Sequence, residues 1–229
     1  MTKTPSFNNV DSTQGYYKEL NAKKIEKRSA AATQKRILAA AKKAFARKGL
    51  AGARVDEIAL SANANKRMIY HYFGDKENLF LRVLENPYMY VSEAAHSLVL
   101  DTLSAQEALD TLVKFTWQYY ISNPEFITLV NNENLHRARH LKKSKIIEKA
   151  SQQLTSLVDN LLDRGVNEGV FREDIDPVQL NKTIAAIGYY YLTNRYTGTI
   201  IYKRDLGSKE SFEDRLKFNL TTIQRLVHK

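Results

Sequence analysis

Cysteine is absent from this sequence of 229 residues, and proline and glycine are scarce, with four and nine residues respectively. Without cysteine there are no disulfide bonds, thiolate metal sites or cysteine nucleophiles, and a reducing compartment is favoured. So little glycine and proline leaves few turns for an all-β fold. The longest apolar runs fall far short of the ~20 residues that span a bilayer, and the N-terminus lacks the apolar stretch of a signal peptide. We therefore expect a cytoplasmic protein with no membrane partner.

Positive charge is concentrated in the first third of the chain. Residues 1–85 hold 17 Lys and Arg against 8 Asp and Glu, whereas the remaining 144 residues hold 18 against 17. One interpretation is a basic part that binds a polyanion, joined to a part with a different task. The other is a solubilising surface with a basic tail, and charge alone does not decide between them.

The first thirty residues are rich in Ser, Thr, Asn and Lys and show no sustained apolar period. This composition predicts a flexible basic arm over residues 1–30. Its basic stretch from Lys18 to Arg28 is either a solvated tail or an arm that follows phosphates or enters a minor groove.

Four helices are predicted to follow within about sixty residues. From Thr33 the apolar residues recur at steps of three and four, which predicts an amphipathic helix that stops at Gly49. Two short helical segments come next, and Gly74 breaks the chain after them. Asp75 is placed to cap a fourth helix, which we expect to end before Pro87.

Longer helices are predicted beyond this point, with start signals at Ser104, Asn123 and Asp176. The β-branched stretch from Thr197 to Tyr202 is compatible with a strand, but a lone strand would have no partner, so we interpret it as helical. The predicted fold class is all-α. The helical apolar spacing covers 105–122, 125–141, 144–168, 177–202 and 209–228.

Residues 55–73 satisfy the requirements of a helix-turn-helix. Ala59 is small enough for a second helix to cross close to it, and four positions later Asn63 tolerates the left-handed conformation of a tight turn. Asn65 can cap the second helix, while Ile69 and Tyr72 can bury its inner face.

The residues left on the outer face of that second helix are cationic or hydrogen-bonding. The major groove offers guanine O6 and N7 to such donors and thymine methyl groups to an apolar edge. The four outward residues are Lys66, Arg67, Tyr70 and His71.

The stretches 45–59 and 66–80 resemble the DNA-binding domain of the TetR/AcrR family of transcriptional regulators, and the resemblance covers about residues 33–85. It implies that Lys66, Arg67, Tyr70 and His71 enter the major groove and that Lys76 contacts a phosphate. Where the family has a small hydroxyl residue as a helix cap this sequence has Arg54, which cannot cap in that way but can reach a phosphate.

The rest of the chain resembles the C-terminal domain of the same family, in particular a subgroup around regulators of pyrimidine and aromatic-compound catabolism. The stretches that carry this resemblance are 132–140, 169–172, 176–177 and 189–195. It implies a dimer interface on the last two helices and a pocket for a small organic effector. Our candidate pocket residues, each of which is also compatible with an ordinary core position, are Trp117, Tyr119, Tyr120, Phe126, Asn132, His136 and Tyr190.

Glu133, His136 and His140 are spaced to share one face of a predicted helix. Two histidines four residues apart can hold a metal, but the glutamate does not lie between them as it does in zinc proteases, and arginines crowd the segment. We favour a polar group that lines a pocket or ties helices together, and we predict no metal and no cofactor.

Together these observations predict a flexible arm (1–30), a helix-turn-helix DNA-binding domain (31–91) and a helical ligand-binding and dimerisation domain (92–229). The predicted function is a homodimeric repressor that binds a palindromic operator in double-stranded DNA and is released by a small-molecule effector. An all-α enzyme acting on nucleic acid would need a catalytic grouping that the sequence does not show. A DNA-coating protein without sequence preference is disfavoured by the long neutral second part.

Overall fold

A computed structural model describes residues 11–98 and 100–229, with side chains from Ser29 onward. Within this part the chain is helical and forms no strand, which confirms the all-α prediction; one isolated bridge joins Phe171 and His228. Two short 3-10 turns cover Leu100–Thr102 and Leu141–Lys143. The helices are α1 (Asp11–Gly52), α2 (Val55–Ser61), α3 (Lys66–Phe73), α4 (Lys76–Ser97), α5 (Ala105–Ser122), α6 (Pro124–Leu135), α7 (Lys145–Asn167), α8 (Pro177–Tyr202) and α9 (Lys209–Val227). Within α1 the backbone of Gly49 is not helical, with φ of 67° and ψ of 177°, so the amphipathic helix breaks at the glycine where the sequence predicts its end.

The chain divides into two compact units between Leu79 and Phe80. The core of the first unit is built from α1, α2, α3 and the start of α4. Its innermost side chains are no more than 1% exposed, because the apolar stripes of these helices face one another. They are Ile37, Phe45, Ile58, Ile69 and Leu79.

The turn between α2 and α3 has the predicted geometry. Asn63 adopts the left-handed conformation, with φ of 47°. The Asn65 side chain accepts a hydrogen bond of 2.8 Å from the Met68 amide, which caps α3. Ala59 is buried, and its carbonyl oxygen accepts a 3.0 Å hydrogen bond from the Ala64 amide. These predictions are confirmed.

Arg36 on α1 adds a contact to this turn that the sequence did not reveal. Its Nε donates at 3.1 Å to the carbonyl oxygen of Ala62, the C-cap residue directly after α2, and its Nη2 donates to the Thr33 hydroxyl at 3.1 Å. A charged donor thereby satisfies a carbonyl that α2 leaves free at its C-terminus.

Three helix boundaries differ from the predictions. Residues 11–30, expected to be a flexible arm, form the first part of α1, because the segment contains several good helix formers and leads directly into the amphipathic helix; residues 1–10 lie outside the described part. The α4 helix continues through Pro87, whose lost hydrogen bond is offset by burial of the surrounding apolar residues. The α6 helix ends at Leu135 instead of continuing to 141.

Most predicted start signals are present as side-chain caps. Ser104 and Glu107 form a reciprocal capping box, and Asp176 accepts from the Gln179 amide at 2.8 Å. Asp75 accepts from the Asn78 amide at 2.7 Å, and Asn78 also donates its side-chain amide to the same carboxylate. Asn123 was expected to cap α6, but its side chain donates instead to the carbonyl oxygen of Tyr119 in the preceding helix.

The core of the second unit lies between α5, α7, α8 and α9, which contribute Leu109, Val158, Ile184 and Ile223 among others. At one end of this core Gly165 lies directly against the Phe171 ring. A Cβ at position 165 would lie 1.9 Å from the nearest ring carbon, so a larger residue would displace the ring.

Replacing Arg36 by alanine should destabilise the first unit, because the Ala62 carbonyl oxygen loses its charged donor. We expect the free energy of unfolding to fall by about 1 kcal/mol, measured by urea denaturation. Lys35→Ala, on an exposed neighbouring position, is the matched control. Equal stability of the two variants would contradict the role assigned to Arg36.

Candidate nucleic-acid interface and small-molecule cavity

The outer face of α3 carries the four residues that the sequence predicts to contact DNA. Lys66, Arg67, Tyr70 and His71 are all exposed, while Ile69 on the opposite face is fully buried. The burial of Ile69 fixes which face points outward. The helix therefore presents a contiguous surface of hydrogen-bond donors with an aromatic edge.

Lys66 has a partner within the unit. Its Nζ lies 3.1 Å from the Asp56 carboxylate on α2, and both side chains are more than half exposed. An ion pair so open to solvent contributes little to stability. The lysine is thus available to exchange this partner for a phosphate or a base edge.

Lys76 and Arg54 flank this helix-turn-helix. Lys76 Nζ donates to the carbonyl oxygens of Ala53 at 3.0 Å and Ala51 at 3.4 Å, so it also holds the connection between α1 and α2. An ammonium has three donors, and one is left for a phosphate. Arg54 precedes α2 as its N-cap residue, is exposed, and makes no side-chain capping bond, as its chemistry predicts.

The exposed rim of α1 and α2 also contains Glu57. Lys48 Nζ lies 2.5 Å from its carboxylate, and this hydrogen bond holds the pKa of Glu57 below its ordinary value. The glutamate therefore stays charged at neutral pH, and it offsets one of the cations on this side of the first unit.

A cavity of about 240 Å³ lies within the second unit, between α4, α5, α6, α7 and α8. Five aromatic rings line it, and they pack with one another: Tyr120 stacks on Phe126 with 6.1 Å between ring centroids, while Tyr119 meets Phe126 edge to face at 5.6 Å. Such walls suit a flat, largely apolar molecule. The five are Tyr88, Phe115, Tyr119, Tyr120 and Phe126.

Eight of the sixteen residues that line the cavity carry a polar side-chain group. Burial raises the pKa of the Tyr119 and Tyr120 phenols, so both stay neutral hydrogen-bonding groups. Thr116 donates to the carbonyl oxygen of Leu112 in its own helix. Asn181 and Lys182 on α8 make no hydrogen bond or ion pair with the other described residues, so their donors are available to an occupant.

Of the predicted pocket residues, Tyr119, Tyr120 and Phe126 line this cavity. The other four do not. Trp117 is buried on another face of α5, against Tyr191 and Phe212, with ring centroids 5.8 Å away in each case. Tyr190 is 69% exposed. Asn132 is half-buried on α6 away from the cavity, and His136 is exposed just after α6 ends.

Sequence reasoning missed several lining residues, in particular Tyr88 and Ser92 on α4 and Asn181, Lys182 and Ala185 on α8. Their steps of three and four residues place each group on one helix face. That spacing is the only signal they carry, and it is shared with ordinary core positions.

The interpretation of Glu133, His136 and His140 as one helix face is corrected by the end of α6. Arg137 and Ala138 both have φ of 55°, so the chain reverses after His136 and brings His140 back over Glu133. The buried Glu133 carboxylate accepts hydrogen bonds from the His140 amide at 2.7 Å, the Leu141 amide at 3.1 Å and His140 Nδ1 at 2.8 Å. These contacts make Glu133 the internal anchor of the turn between α6 and α7.

Both parts of the chain match known family models. Residues 37–83 match the bacterial regulatory proteins of the tetR family, and residues 106–223 match the tetracyclin repressor-like C-terminal domain. The chain belongs to the TetR family. The resemblance to this family that the sequence indicates is thereby confirmed.

Similar proteins support this membership of the TetR family along most of the chain. The HTH-type transcriptional repressor NicS of Pseudomonas putida is 38% identical over 186 residues, which cover 81% of this chain and 88% of NicS. Among solved structures, a putative transcriptional regulator from Streptomyces coelicolor is 26% identical with a TM-score of 0.66, covering 85% of this chain and 98% of its own. A tetR-family protein from Rhodococcus RHA1 shares the fold, with a TM-score of 0.67 at 18% identity over 86% and 97% of the two chains.

This TetR-family chain is accordingly a helix-turn-helix transcriptional regulator that binds DNA, and not an enzyme. Within residues 11–98 and 100–229, no helix combines the length and apolarity that crossing a bilayer requires. In the same part of the chain, no cluster of three or more His, Asp or Glu side chains is arranged to hold a metal ion.

Proposed function

We propose that this chain is a homodimeric repressor whose two α3 helices read a palindromic operator and whose affinity for DNA falls when a small organic effector binds. The observation that carries the proposal is the exposed face of α3, fixed outward by the buried Ile69. Arg67 supplies a guanidinium that matches the O6 and N7 acceptors of guanine, while Tyr70 and His71 extend the contact surface. Lys66, Arg54 and Lys76 supply cations for phosphates beside it.

Dimerisation is supported by the outer face of α8 and α9. Tyr190 and Ile201 are each 69% exposed on α8, Ile200 is 78% exposed beside them, and Phe218 on α9 is 61% exposed. Exposed apolar side chains at this density mark an interaction surface. A second copy of the chain is the partner we propose, because a two-fold pair of α3 helices matches a two-fold DNA site.

The effector site we propose is the aromatic cavity of the second unit. Its walls favour a planar molecule, and Asn181 and Lys182 offer donors to a polar group on it. The α4 helix begins at Lys76, just after α3, and contributes Tyr88, Val91 and Ser92 to the cavity. An effector that prefers a different position of α4 lowers DNA affinity to the extent of that preference. The site of action is the cytoplasm, where a bacterial regulator meets its DNA.

The contacts proposed for α3 and Lys76 have different effects on the affinity for DNA and on its salt dependence. Arg67→Ala should lower affinity for the operator by about 1–3 kcal/mol and relax the requirement for one base, because it removes a bidentate base contact. Lys76→Ala should weaken binding to all sequences and reduce the salt dependence, because it removes a phosphate contact. Titration of labelled duplexes at several salt concentrations measures both. Equal losses from Arg67→Ala on operator and unrelated DNA would refute the groove assignment.

Filling the cavity should separate effector response from DNA binding. Ala185→Phe places an aromatic ring inside the cavity wall, so compounds that raise the melting temperature of the wild type in a panel of small aromatic compounds should no longer do so. The affinity of the Ala185→Phe variant for DNA should equal that of the wild type. Gln118→Phe, on an exposed position of α5, is the control. A variant that still responds to every such compound would place the effector elsewhere.

A further inference from the structure

The connection between α6 and α7 is strongly basic, together with the first five residues of α7. Residues 136–149, here called the basic turn, contain six Lys and Arg and one Glu. The whole second unit, Phe80–Lys229, contains 19 Lys and Arg and 18 Asp and Glu. The rest of that unit, with 13 Lys and Arg against 17 Asp and Glu, is therefore acidic, whereas the basic turn has an excess of five positive charges.

The cations of the basic turn point into solvent. Arg137, Lys142, Lys143, Lys145 and Lys149 are exposed, and none of them forms an ion pair with another described residue. Lys145 is the first residue of α7, where the positive end of the helix dipole disfavours a cation. This arrangement weakens the fold electrostatically, and the side chains described from Ser29 onward supply these five cations with no ion-pair partner. It is the arrangement expected of a surface whose partner is an external polyanion.

The backbone beneath these cations is held in place. Arg137 and Ala138 adopt left-handed conformations that are unfavourable for residues other than glycine, and the three hydrogen bonds to Glu133 maintain them. Ser144 Oγ, at the start of α7, donates to the buried Glu85 carboxylate at 2.6 Å. The basic turn is thus a preformed cationic surface rather than a loose tail.

The basic turn contacts the first residue of the second unit. The His140 ring meets the Phe80 ring edge to face, with centroids 5.1 Å apart. Phe80 is the first residue of that unit and follows the end of α3 at Phe73 by seven residues. The basic turn therefore packs against Phe80, in the N-terminal part of α4.

We propose that the basic turn is a second DNA contact, in which lysines of the ligand-binding unit hold duplex phosphates in addition to those bound through the helix-turn-helix. Lysine ammonium groups bind phosphates as point charges and read no bases, so this contact adds affinity without sequence preference. It tethers the unit that senses the effector directly to DNA.

The test is the salt dependence of DNA binding by the full-length chain. Lys142→Gln combined with Lys143→Gln should make the slope of log affinity against log salt shallower by about 1–2 for each subunit bound to the duplex, since each lost phosphate contact removes about 0.9. At low salt, the affinity for a labelled duplex of unrelated sequence should fall several-fold. The affinity for the promoter fragment that the wild-type chain binds most tightly should fall by the same factor. The ratio between the two duplexes should not change.

Two further variants keep the test decisive. Lys114→Gln combined with Lys209→Gln removes the same charge from exposed positions on α5 and α9, and should leave the slope unchanged. Lys145→Gln should weaken DNA binding while melting no lower than the wild type, because it relieves the repulsion at the start of α7. An unchanged slope in the Lys142 and Lys143 variant, including the case in which the turn binds an acidic protein instead, overturns the proposal, as does an equal change in the control.

This outcome is independent of the proposed operator recognition. Arg67→Ala changes the ratio of affinities for operator and unrelated DNA, whereas substitutions in the basic turn change the slope on both. Either result can fail without the other.

Discussion

The left-handed turn at Asn63 is the constraint on which the DNA-reading surface depends. It reverses the chain within a few residues between α2 and α3, and the small side chain of Ala59 lets the helices approach. Arg36 holds the end of α2 from α1. With Ile69 buried, α3 has only one orientation on this scaffold, and its cationic face is turned outward. Recognition of DNA therefore begins with backbone geometry and packing.

In the second unit, a buried carboxylate stabilises the chain reversal that follows α6. Glu133 satisfies two backbone amides and a histidine, which stabilises a reversal that contains no glycine. Before Glu133 in the chain, α6 contributes Phe126 to the aromatic cavity. After Glu133, the chain continues into the basic turn. The α4 helix is linked to both, through Tyr88 at the cavity and Phe80 at the turn. A single helix thereby touches the structures that we assign to effector binding and to DNA contact.

The sequence was most informative where the determining interactions are local. Asn63, Asn65 and the capping box at Ser104 act within four residues of their partners, so their spacing alone predicted their roles. The end of α6 depends on burial of a carboxylate that is satisfied seven residues later, which no helical period reveals. The cavity depends on which face of α5 meets which neighbour, and for that reason Tyr119 and Tyr120 were assigned to it together with Trp117, which packs elsewhere.

The central claim is that a symmetric pair of α3 helices occupies the major groove of DNA. Dimethyl sulfate methylates guanine N7, which lies in that groove, and so reports its occupancy directly. On the upstream fragment that the purified chain retains best, the account predicts two sets of protected guanines, related by a two-fold axis and separated by about one helical turn or a multiple of it. Protection in a single groove segment, or binding with every guanine N7 still reactive, would contradict it.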